Sequence, residues 1–133
     1  MKHLPSIAGG LLGLIFAFAS LAYFFQLFPT PEFPAGTPIA HFFAAFGSTG
    51  YMSFIKALEL IGAVLVAIPA TRRLGLLILG PIVVNIIATH HFIMGGGWAN
   101  PLLIAAIVLP LYLVWAERRA FLAYLRGGAP TSP

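Results

Sequence analysis

Cysteine is absent from the 133 residues, and acidic side chains are nearly so, with three Asp or Glu against seven Lys or Arg. The first absence excludes disulfides, thiolate metal sites and Cys-x-x-Cys redox chemistry. Charge of either sign is scarce, at 8% of residues, where a soluble domain carries about a quarter. Hydrophobic residues make up 60% instead. A chain of this make-up and of one domain's length meets lipid over much of its surface. The formal net charge of +4 comes from few residues placed at the edges of apolar runs. That placement is a membrane-topology signal rather than a nucleic-acid patch, so no nucleic-acid partner is expected.

Four apolar runs predict an all-α fold, an integral membrane four-helix bundle occupying 1–126, with spans at about 7–28, 51–69, 74–94 and 101–116. The run from Ile7 to Phe28 is too long for a signal-peptide core, and a retained first helix is expected. Gly9, Gly13 and Ala17 recur every fourth residue in it and predict a close helix contact. Tyr23 and Gln26 at its far end are either interfacial or turned into a pocket. The connection that follows begins with Pro29, Pro31 and Pro34, which exclude a regular helix. Thr37-Pro38 then reads as an N-cap with proline at the first helical position. Ile39, Phe42, Phe43 and Phe46 fall on one stripe and predict a short interfacial helix, with Phe42, Phe43 and Phe46 as a lid over the bundle. Pro81 and Pro110 predict kinks in the third and fourth spans. Asn100-Pro101 repeats the cap-and-proline start. Phe121 to Arg126 continues the fourth span along the inner surface, and 127–133 is expected to be a disordered tail. His3 and His41 read as surface residues.

Within the second span lie Lys56 and Glu59. An ionised side chain at mid-membrane costs about 2.5–3.5 kcal/mol, whereas each Leu, Ile, Val or Phe returns about 0.3–0.6. The two charges therefore need partners inside the protein. Three residues apart, they are neighbours on one helical face and can neutralise each other. Either they form a pair that only orients the helix, or they belong to a buried polar site. Gly62, Ala63, Val66 and Ala67 share their side of the helix. Phe54, Leu58, Ile61, Val64, Leu65 and Ile68 take the other, so the charged side should pack inward and the bulky side should face lipid.

The termini and the connection after the second span hold Lys2, Arg72, Arg73, Arg118, Arg119 and Arg126. The first and third connections hold no Lys or Arg. By the positive-inside rule both termini are cytoplasmic. Counted inward from the opposite surface, Lys56 lies level with Thr89 and His90, and Glu59 level with Asn85 to Ile87. The candidate ligand-binding set is thus Lys56, Glu59, Asn85, Thr89, His90 and His91, in the outer half beneath the expected lid. On an ideal wheel His91 stands about 120° from Asn85, and His90 about 140° away on the other side. They cannot share one pocket without a distortion such as a π-bulge.

Thr49-Gly50-Tyr51, Lys56-x-x-Glu59, and Pro81-x-x-x-Asn85 followed by His90, in that order and within this layout of helices, resemble the DoxX-like family of small four-helix bacterial membrane proteins. The resemblance covers nearly the whole chain. It implies an inner-membrane bundle associated with quinone-linked sulfur oxidation and with oxidative-stress partners, and it favours His90 over His91. The function expected is binding of a small amphipathic ligand, quinone-like or lipid-like, by a redox component with a membrane redox partner or as a homo-oligomer. The alternatives are a non-catalytic assembly or stability subunit and proton-coupled small-molecule transport. Transport is disfavoured by the lack of an acid in the first span. The residues identify no cofactor, and a quinone is what the resemblance implies. Haem is disfavoured because His90 and His91 are adjacent, and no metal site is expected from so few clustered ligands.

Overall fold

The computed structural model describes residues 2–127, and among these every regular element is helical. Helix α1 is Leu4–Phe24, α2 Pro38–Ser48, α3 Tyr51–Ala67, α4 Arg72–Ala88, α5 Pro101–Ala116 and α6 Arg118–Leu125. A 3-10 turn, Pro69–Thr71, leads into α4, and a π-helical turn, Thr89–Ile93, continues it. Local chemistry explains several of these ends. Thr37 Oγ1 accepts from the Ala40 amide, and Asn100 Oδ1 from the Leu102 amide at 2.9 Å, each followed by proline in the first turn. Both caps were legible as Thr37-Pro38 and Asn100-Pro101. α1 stops at Phe24, four residues before the end of the apolar run, because the chain turns out of the helix and Gln26 takes a positive φ of 50°. Of the expected tail only Gly127 is described; 128–133 lie outside the described residues.

The four long helices touch in a ring, α1 on α3, α3 on α4, α4 on α5 and α5 on α1. Each sends a fully buried side chain to the middle: Leu12, Val66, Leu79 and Leu113. Glycines set the tightest of these contacts. A methyl group at Gly13 would stand 2.6 Å from the Ala63 carbonyl oxygen, and one at Gly75 would stand 2.5 Å from the Val66 nitrogen. So α1 and α4 both approach the backbone of α3, as small residues permit. On α3 the buried residues are Glu59, Gly62, Ala63 and Val66, while Phe54, Ile61, Val64 and Ile68 are exposed. Leu58 and Leu65 are half-buried at the border between the two faces.

Two polar contacts bring the basic connections to one end. Arg73 Nε donates to Glu117 Oε2 at 2.7 Å, and Arg72 Nη2 to Ser6 Oγ at 3.5 Å. At the other end Tyr23 and Ser53 share a hydrogen bond of 3.0 Å between α1 and α3, which turns Tyr23 inward. Two stretches, Leu4–Phe24 and Pro69–Ile93, are long and apolar enough to cross a membrane. The number reaches four if α2 with α3, bent by 79°, and α5 with α6, bent by 69°, each count as one span.

Candidate functional site

The polar residues gather at the end away from the arginines. Glu59 comes from the inward face of α3, and Lys56, one turn earlier, reaches back to it. Lys56 Nζ donates to Glu59 Oε2 at 3.0 Å, with the side chains 21% and 5% exposed. Ser20, fully buried on α1, donates to the same oxygen at 3.4 Å. One carboxylate oxygen thus serves two donors. The other, Oε1, has no hydrogen-bond partner among the described residues. No enclosed side-chain N or O atom among the described residues lacks a partner, so Oε1 opens onto the space beside it.

That space is a cleft of about 200 Å³ between α1, α3, α4 and α5. Lys56, Glu59, His90 and Asn100 are its polar lining, and Ile15, Phe16, Ile86, Leu103 and Ala106 are among its walls. His90 Nδ1 lies 3.0 Å from the Ile86 carbonyl oxygen. A carbonyl only accepts, so Nδ1 carries a hydrogen, and in the neutral ring Nε2 is left as an acceptor. Trp98 flanks the imidazole at 6.0 Å between ring centroids. The cleft therefore presents an ammonium donor, an open carboxylate oxygen and an imidazole on apolar walls.

The π-helical turn that sequence geometry asked for is present, with the Met94 amide donating to the Thr89 carbonyl at 2.9 Å. Its effect differs from the one expected. The turn leaves Ile86 and His90, four apart, on the cleft side of α4. Asn85, about 100° round from Ile86, is exposed and does not line the cleft. His91 is exposed and lies edge-on to Phe92, with 4.7 Å between centroids. Thr89 is half-buried but outside the lining. Nor do Phe42, Phe43 and Phe46 cover this cleft. They pack in an aromatic row with Phe33 and Tyr51, at centroid spacings of 4.1–5.4 Å, and α2 rests on α3 and the π-turn. The stripe finds partners along its own neighbouring chain and so is not free to close over α1 and α5.

Sequence reasoning missed Ser20 and the contribution of α5. A lone serine inside the first apolar run was the available signal for Ser20. Asn100 was legible as a cap, and its second place on the cleft was not. Arg72 was legible only as part of a basic connection. It is 5% exposed, and its Nε donates to the Val66 carbonyl at 3.3 Å, where the C-terminal end of the α3 dipole favours a cation.

Fold and site together define an all-helical protein with stretches of membrane-crossing length and a buried carboxylate beside a small polar cleft. The chain is similar to the uncharacterized protein YwoB of Bacillus subtilis (strain 168), at 34% identity over 107 residues, 80% of this chain and 68% of YwoB. It belongs to the same family as YwoB. No known family profile matches the chain, and no solved structure does.

Proposed function

We propose that the protein is an integral membrane four-helix bundle of the bacterial inner membrane, DoxX-like in layout, whose outer-half cleft holds the polar head of a small lipid-soluble ligand. The observation that carries this reading is Glu59, 4% exposed, with one oxygen saturated by Lys56 and Ser20 and the other open beside His90. A pair that only neutralised itself would not need an open oxygen and a facing imidazole. Membrane residence is supported by the outward side chains: Phe18, Phe54, Leu77, Val84, Val108 and Leu111 are all more than half exposed, which in water is unfavourable. α3 and α5 alone, with 17 and 16 residues, reach only about 25 Å, so α2 and α6 or local thinning complete their spans.

Ligand pockets usually enclose about 300–1,000 Å³, and this cleft is smaller. It suits one ring or head group, with an apolar chain left among the lipids, as a quinone-like molecule or a single-chain lipid would place it. Lys56 Nζ donates to a ligand oxygen, while Glu59 Oε1 and His90 Nε2 accept from a hydroxyl and exchange its proton. In a redox component this arrangement would serve a quinone and its quinol. The test is thermal unfolding in detergent against a panel of quinones, quinols and single-chain lipids. A ligand that binds only the folded state raises the midpoint. The increment should vanish in Glu59→Gln and His90→Ala and persist in Asn85→Ala, which lies outside the cleft. No increment with any member of the panel would remove the ligand-binding reading.

A second reading, an assembly subunit, is favoured by an apolar groove of about 360 Å³ between α1 and α3, where Gly10, Ala17 and Ala67 leave room for a partner helix or a second copy.

A further inference from the structure

The arginine end carries a charge that the protein itself does not balance. Lys2, Arg72, Arg73, Arg118, Arg119 and Arg126 lie there against Glu117, six positive charges to one negative, a net of five. Three of the arginines have protein partners. Arg72 caps α3, Arg73 takes Glu117, and Arg118 donates to the Trp115 carbonyl at 2.7 Å and stacks on its ring at 4.3 Å. Arg119 and Arg126 meet no acid among the described residues. Both belong to the α6 segment, which turns 69° away from α5 and so runs across the end of the bundle. Arg119 lies in the first turn of α6 and Arg126 is the residue that ends it, so seven residues of spacing bring them to roughly the same side of the helix. Phe121 packs against the core from the opposite side of the helix. Leu122, Tyr124 and Leu125 remain 46%, 58% and 83% exposed among the described residues.

We infer that α6, through Arg119 and Arg126, is an in-plane clamp for the head groups of anionic phospholipids. Leu122, Tyr124 and Leu125 enter the acyl boundary, and the two guanidinium forks take phosphodiester oxygens. The uncompensated positive charge selects anionic lipids over zwitterionic ones, whose outer cations it repels. The inference rests on the membrane reading above and is independent of any ligand in the cleft.

Full-length protein is reconstituted in nanodiscs of phosphatidylcholine alone and of phosphatidylcholine with phosphatidylglycerol, and thermal unfolding is followed in each. Phosphatidylglycerol should raise the midpoint. The rise should be lost in the double variant Arg119→Gln with Arg126→Gln and retained in Lys2→Gln, and high salt should weaken it. Lipid retention in native mass spectrometry should follow the same order. Equal midpoints in the two lipid mixtures, a rise that survives in the double variant, or the same rise from free inorganic phosphate would overturn the clamp. Protein released from membranes by alkaline washing would overturn the membrane reading, and the clamp with it.

Discussion

Glu59 and Lys56 are each other's reason for being tolerated. Removing one member of a buried ion pair leaves the other uncompensated and costs about 3–5 kcal/mol, whereas replacing both by apolar residues of similar volume is often neutral. Lys56→Ala should therefore lower the unfolding midpoint in detergent more than Lys56→Met combined with Glu59→Leu. The opposite ranking would mean that water or lipid head groups already solvate the pair. These two residues were legible because ionised groups stand out in an apolar run. His90 was legible as an imidazole at the matching depth. Asn85 and His91 carried the same kind of signal and yet are exposed outside the cleft, because their places depend on the local winding of α4 and of the π-helical turn after it, which polarity does not encode. Arg72 shows the converse: adjacent to Arg73 and of the same type, it is buried while Arg73 is exposed. Only the path of the chain through Pro69–Thr71 separates the two.

At the level of helices, glycine contacts hold α1, α3 and α4 together. An added methyl at Gly75 meets backbone of α3 on the other side, not a movable side chain. Overpacking of this kind costs about 1–3 kcal/mol. Gly75→Ala should lower the unfolding midpoint, and Gly10→Ala, which meets nothing within 4 Å, should leave it unchanged or raise it slightly. Equal responses of the two variants would show that the α3–α4 contact is looser than described. Helices α1, α3, α4 and α5 were legible from apolar run length, and α2 from its cap and stripe. The resting place of α2 was not. An aromatic stripe states that a face must be covered without naming the cover, and here Phe33 and Tyr51 supply part of it.

For the molecule as a whole, the segregation of basic residues predicts an orientation. If the basic end is cytoplasmic, a cysteine introduced at Ala35 should react with an impermeant maleimide in intact cells, and one at Arg73 should react only after lysis. Both positions are exposed, so accessibility within the protein does not decide the outcome. The reverse labelling pattern would invert the arrangement and move the cleft to the inner half. This polarity was the most legible large-scale property, because charge is carried by few residues and all six basic ones at that end flank apolar runs. The wall formed by α5 was the least legible. Its cleft-lining Leu102, Leu103 and Ala106 are indistinguishable in type from neighbours such as Ile104 and Val108 that point away from the cleft.

The staves of this barrel are not equally fastened. α1, α3 and α4 meet backbone to backbone, whereas α5 has no glycine and leans on the others through Leu103, Ala106, Pro110 and Leu113. Its side-chain hydrogen bond to another long-helix boundary, Arg73 to Glu117, lies at the arginine end. At the cleft end it is led in by Gly95, Gly96 and Gly97, all at positive φ. A wall pinned at its foot and led in by three glycines at its head has its weaker attachment beside the cleft. Widening the cleft should then cost least at α5, because the stave that carries Lys56 and Glu59 is held by backbone contacts on both sides.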